Sequence, residues 1–130
     1  MPPARSLLRI WRKKQAKRKD KWVDITDDLT SFRNTIILVN KQGKPMSGIE
    51  IGRGGFAIRG IAPVFNENNK QVGSLEVLSD FNQLFSKIKT NDDENLALFM
   101  DYKFIKVATG LREDNTLDNR YVVVAANGRY

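Results

Sequence analysis

Between Met46 and Leu78 the chain passes three times through apolar, β-branched-rich sequence and is twice interrupted by turn chemistry, and few folds accept that pattern. The first run, Met46 to Ile51, stops at Gly52-Arg53-Gly54-Gly55; the second, Phe56 to Phe65, stops at Asn66-Glu67-Asn68-Asn69-Lys70; the third extends from Gln71 to Leu78. Strands joined by glycine- and asparagine-rich loops read as consecutive hairpins, so the segment predicts an antiparallel meander. A glycine loop can also cradle phosphate, but no Lys-Ser/Thr follows Gly55 and the next run is a strand rather than a helix. A hairpin or bulge accounts better for these glycines.

The flanking sequence predicts helices on either side. Ser79-Asp80 precedes Phe81, Leu84, Phe85 and Ile88, which recur at helical spacing, and Gln83 is placed to complete a capping box with Asp80. Upstream, Leu7, Leu8, Ile10 and Trp11 fall three and four residues apart, predicting an amphipathic helix over residues 1–16 with Lys and Arg on its wet side. Residues 17–34 read as a structured loop with one helical turn that Asp27 or Asp28 caps. Thr35 to Asn40, a β-branched run before the turn signal Lys41 to Pro45, predicts a strand. Further strands are predicted at Leu96–Met100 and Lys103–Val107, around a tight turn at Asp101-Tyr102, and at Tyr121–Ala126. The order describes an α+β domain, a single antiparallel sheet with an N-terminal helix and a second helix packed on the sheet, spanning 1–130 as one unit.

Composition narrows the chemistry. The chain has no Cys and no His, which removes disulfides, zinc-thiolate sites and Ser-His or Cys-His catalysis together. No metal or cofactor is implied, and binding is favoured over turnover. A hydrolase using Asp27, Asp28 or Glu50 has only the carboxylates in its support. No apolar run is long enough to span a bilayer, so any membrane anchor lies outside this sequence. The net charge of +7 is localised: residues 1–22 hold nine Lys/Arg and one Asp, leaving the remainder at −1. A basic run of this kind can bind nucleic acid or anionic lipid, or form a solvated face. A nucleic-acid-binding domain built on this segment is the alternative function, although it lacks aromatics interleaved on a basic sheet face.

Four segments carry a family resemblance: Asp27 to Thr35, Gly48 to Val64 with its strand ending in Ala62-Pro63-Val64, Gly73-Ser74-Leu75-Glu76-Val77, and Pro2 to Arg12. Together, over about residues 2–90, they resemble the periplasmic sensor domains of methyl-accepting chemotaxis receptors in the Cache superfamily. The resemblance implies a PAS-like sheet carrying a small-molecule pocket. It also implies a homodimeric inner-membrane receptor that relays the signal to a cytoplasmic module, with residues 1–16 as the end of a membrane-proximal helix and 17–130 as the PAS-like body. The partner is then a small organic solute, an anionic one being suited to the arginines, and not a nucleic acid. Residues 108–130 fall outside the resemblance.

Arg59 is the sharpest candidate for ligand contact, because a guanidinium between Ile58 and Gly60 in mid-strand is costly to bury unless paired. It either meets a ligand anion or pairs with Glu50 or Glu76. The remaining candidate ligand-binding residues are Arg9 and Arg33, approaching from helix and loop, with Trp11, Phe56 and Met100 as apolar walls. Arg33 has Asp27 or Asp28 as an alternative partner, and Trp11 can equally be core packing.

Overall fold

The computed structural model describes residues 1–10, 15–18, 20–24, 26–111 and 116–128. In chain order the described elements are β1 (Gln15–Arg18), β2 (Lys21–Asp24), α1 (Asn34–Gln42), β3 (Met46–Gly52), β4 (Gly55–Phe65), β5 (Gln71–Ser79), α2 (Phe81–Ile88), β6 (Ala97–Asp101), β7 (Thr116–Leu117) and β8 (Tyr121–Ala126). The fold is α+β and PAS-like. Its strands form three antiparallel sheets, β1-β2, β3-β4-β5 and β6-β8-β7, in place of the single sheet expected.

The predicted meander is the β3-β4-β5 sheet. Met46 pairs with Ile61 and Ile51 with Phe56 across the first hairpin, and Arg59 pairs with Leu78 and Val64 with Gly73 across the second. In the β4-β5 turn, Asn66 Oδ1 accepts from the backbone N–H groups of Asn68 and Lys70, the local bonding that fits asparagine to a turn. Because side chains alternate along a strand, Arg59 and Ile61 share one face of β4 while Phe56 and Ile58 share the other. Ile61 packs with Leu29, Ile36 and Val39 beneath α1. Phe56 and Ile58 pack against Phe81 and Phe85 of α2 and Ala125 of β8. Phe56 also reaches a third cluster, built on Met100, Ala108 and Val122. Further along that second face, Ile49, Leu75 and Val77 are exposed around an open trough lined by Ser47, Gly60 and Ala62.

Three expected elements are corrected. Thr35 to Asn40 is helical, within α1. Its buried residues, Ile36, Val39 and Asn40, stand at helical spacing, so packing on the sheet overrides β-branched propensity. Gly43, in the left-handed conformation at φ 66°, ends that helix by donating its N–H to the Val39 carbonyl, so the turn signal was a helix stop. The expected N-terminal helix is absent from residues 1–10, and residues 15–18 form β1. Ala4 O and Ser6 N hydrogen-bond across to Leu29 and Asp27, and a short helix with Leu7, Leu8 and Ile10 facing water has no packing to sustain it. Lys103 to Val107 forms a 3₁₀ turn (Tyr102–Phe104) and further turns, because Tyr102 and Ile105 pack against buried Ala108 at a spacing of three.

The α2 helix matches its prediction, with Asp80 Oδ1 accepting from Gln83 N at 3.1 Å. Phe81 and Phe85 are buried, whereas Ile88 is 52% exposed rather than part of the core. Replacing Phe85 by Ala is therefore expected to cost on the order of 3 kcal/mol, and Ile88 by Ala less than about 1 kcal/mol, a contrast readable from urea midpoints.

Candidate functional site

Four charged side chains converge on the face of the β3-β4-β5 sheet beneath α1. Arg59 points from mid-β4, Glu50 from β3 and Glu76 from β5, while Arg33 arrives from the residue preceding α1. Arg59 Nη1 donates to Glu76 Oε1 at 3.1 Å and its Nε to the Glu50 carbonyl at 3.3 Å. Arg33 Nε donates to Glu50 Oε2 at 2.8 Å, and its two terminal nitrogens reach both oxygens of Glu76. Both arginines are only 5% exposed. Two guanidinia and two carboxylates make the group neutral, which is what permits its burial.

Glu50 also performs a capping role. The Arg33 side chain makes no capping bond to the start of α1, and Glu50 supplies it from the neighbouring strand: Oε1 accepts from Thr35 N at 3.0 Å and Oε2 from Thr35 Oγ1 at 2.5 Å. A carboxylate at a helix N-terminus satisfies an orphan N–H and complements the helix dipole. Burial alone pushes the Glu50 carboxyl up, but the bonds from Thr35 and Arg33 outweigh it and hold the group below its usual range. Burial, then the neighbouring Arg33, lower the Arg59 guanidinium, and Glu76 works against them. Gly52 leaves the room this needs, since a Cβ there would collide with Arg59 Nη2.

A second charged group lies at the rim. Arg9 Nη2 donates to Asp27 Oδ2 at 2.7 Å, and Arg53 Nε stands 3.7 Å from the same oxygen. The Arg53 guanidinium lies 5.5 Å from the centre of the Phe32 ring and its Nη1 donates to Thr109 Oγ1 at 3.3 Å. Asp28 caps the turn before α1 by accepting from Thr30 Oγ1 and N, and these bonds hold its carboxyl below the usual range. Glu50 and Asp28 are thus ionised acceptors, the opposite of the raised pKa that an acid catalyst needs. Among the described residues no group of three or more carboxylates is placed to hold a metal ion.

Of the residues singled out from sequence, Arg33 and Arg59 are brought together. Arg59 adopts the paired alternative, and Arg33 pairs with Glu50 and Glu76 rather than with Asp27 or Asp28. Arg9 sits in the separate Asp27 group. Phe56 faces α2 from the opposite side of the sheet, and Met100 is buried beside Val122. Trp11 lies outside the described residues. Thr35 was missed because α1 read as a strand, which would point it elsewhere.

The α+β body of helices and small antiparallel sheets is consistent with a PAS-like Cache domain. The family comparison agrees. Residues 7–112 match the dCache_3 model, described as the double sensory domain of two-component sensor kinase, and the chain belongs to that family. It is a family of extracellular sensory domains of signalling receptors. The resemblance to Cache sensors is thereby supported at the level of the superfamily. Searches of curated proteins and of solved structures returned no match.

Because the folded Glu50 carboxyl titrates below its unfolded value near 4.5, its stabilisation is complete above that pH and is lost as pH falls through the lowered folded pKa. The urea midpoint is therefore expected to fall on acidification below about pH 5. Glu50→Gln should flatten that fall and, by leaving Arg33 and Arg59 to share the single carboxylate of Glu76, cost on the order of 3 kcal/mol at pH 7.

Proposed function

We propose that this chain is the extracytoplasmic ligand-sensing module of a bacterial transmembrane receptor, binding a small organic solute and relaying its presence across the membrane to a cytoplasmic output. The observation that carries the reading is the family match over residues 7–112. Its description favours a sensor kinase as the output, and a chemotaxis receptor built on the same module is the finer alternative that the sequence resemblance suggests. In either case the receptor works as a homodimer in the inner membrane, with the module on the periplasmic side.

The ligand reading centres on Arg33 and Arg59. Two guanidinium forks already converge on one carboxylate, that of Glu76, which at 20% side-chain exposure is more accessible than either arginine. A solute carboxylate entering here replaces Glu76 as the shared acceptor, releasing that residue of β5 to water. Signalling requires different affinity for the two states of the receptor, and this exchange supplies it: only the state in which Glu76 has moved offers both forks. Bidentate geometry makes Arg preferable to Lys at such a site.

A thermal-shift screen of organic acids, amino acids and amines is expected to find a stabilising solute, since a ligand selective for the native state raises apparent stability. For an anionic hit, calorimetry with Arg59→Lys should show affinity reduced about tenfold or more while charge is retained. Equal affinity for both proteins moves the site away from the arginines, and the open trough along Gly60 and Ala62 is then the surface to test. No hit from any class, with two transmembrane segments also missing from the parent gene, would count against the sensing module itself.

A further inference from the structure

All three charged residues of the β3-β4-β5 meander, Glu50, Arg59 and Glu76, lie on the face beneath α1. The register places them there: Glu50 stands opposite Ala57 and Glu76 opposite Ile61, on the side of β4 that Arg59 shares. The other face therefore carries no charged side chain from any of the three strands. Away from α2 and β8 it presents Ile49 of β3, Gly60 and Ala62 of β4, and Leu75 and Val77 of β5. An antiparallel sheet that keeps one face in water alternates apolar and polar residues, and this one places apolar or small residues on the wet side instead. Ile49, Leu75 and Val77 are 63%, 63% and 67% exposed. With Val64 beside them they form a patch of roughly 300–600 Å², the size at which the largest patch of a monomer is often functional.

The relief of this face says what fits it. Its middle strand is a trough, because Gly60 has no side chain and Ala62 only a methyl group, and a Cβ added at Gly60 would meet nothing within 4 Å. Ridges flank it, Ile49 on β3 and Leu75 with Val77 on β5. We infer that a second copy of this chain packs on this face, the Leu75-Val77 ridge of each copy entering the Gly60-Ala62 trough of the other about a twofold axis. A ridge beside a trough is the relief that a twofold contact needs, since each surface then serves as knob and as hole. The absence of charge also favours a second copy: identical faces meet without like-charge repulsion, and a partner recognised by charge finds nothing to read. Two such patches closed on each other remove about 600–1,200 Å² from water, reaching the ~1,000 Å² at which specific interfaces begin, so the dimer of the chain alone is weak and reversible. The contact leaves Arg33, Arg59 and Glu76 on the opposite side of the sheet. It gives the homodimer of the proposed receptor a surface within the sensory module, and it rests on that proposal for its setting alone.

Sedimentation equilibrium of the chain from about 10 µM to about 1 mM, the range in which an interface of this size assembles, is the test. A monomer–dimer equilibrium is expected that does not weaken as NaCl rises, because the contact is apolar. Val77→Lys sets a charge on the ridge and should raise the dissociation constant about tenfold or more. Gly60→Leu fills the trough, where the monomer has room for it, and should raise the constant as much even though it enlarges the apolar surface. Leu38→Lys, on the exposed side of α1, should leave it unchanged. None of the three residues belongs to the core clusters, and an unchanged urea midpoint in dilute protein confirms that each variant folds. A chain that stays monomeric at the highest concentration, or a dimer indifferent to both face variants, overturns the inference. So does association strengthened by Gly60→Leu, which marks general apolar adhesion. The solute screen is read separately: solute stabilisation of a monomer removes only this surface. A dimer without any solute response removes only the ligand site.

Discussion

Burial of two arginines is the constraint around which the rest of this structure is arranged. Neither guanidinium can be taken out of water alone, and each carboxylate that answers it comes from a different strand. Glu50 fixes β3, Arg59 fixes β4, Glu76 fixes β5, and Arg33 fixes the chain where it turns into α1. The same Glu50 closes the start of that helix through Thr35. One neutral group therefore sets where α1 begins, how it lies across the sheet, and why Ile36 and Val39 meet Ile61 below it. Gly52 also leaves a gap that the end of the Arg59 side chain occupies, so a larger residue there would have to displace the guanidinium.

Pairing of the body's charges has a second effect. With Arg33, Arg59, Glu50 and Glu76 cancelling internally and the remainder nearly balanced, the net charge of +7 belongs almost wholly to the N-terminal segment. In the sequence that excess is confined to residues 5–21, and Arg9 within it is already paired with Asp27. The sheet likewise divides its labour: the face carrying Arg59 is closed by α1, and the opposite face is closed by α2 and β8 near Phe56 and Ile58 but open along Gly60, Leu75 and Val77.

The parts legible in the sequence were those governed by local rules. The meander followed from turn residues bounding β-rich runs, and α2 from its apolar spacing with Asp80 at the cap, where Gln83 N does donate to Asp80. Arg59 was identifiable as a buried charge in need of a partner, with a ligand anion, Glu50 or Glu76 as the alternatives, and it takes the Glu76 carboxylate while meeting Glu50 only at its backbone carbonyl. For Arg33 the sequence offered a ligand or the nearby aspartates but neither glutamate, since sequence proximity is a poor guide to a pair formed across 43 residues with Glu76. Thr35 was lost with α1. Its β-branched run has a local preference for a strand, and only contact with the sheet decides between a period of two and a period near four.

The sequence by itself determined the antiparallel meander, the capped helix after it, the absence of thiol and imidazole chemistry, and the segregation of positive charge at one end. These depend on backbone dihedral preferences, side-chain alternation and the identity of the residues, all of which act over a few positions. The tertiary structure alone decided that Thr35 to Asn40 coils, that residues 4–6 pair with 27–29, that the strands part into separate sheets, and that Arg33 and Arg59 share Glu76. Each of those outcomes turns on which distant surface is available to bury an apolar side chain or pair a charge, and the free energy of such contacts exceeds the local preference it overrides.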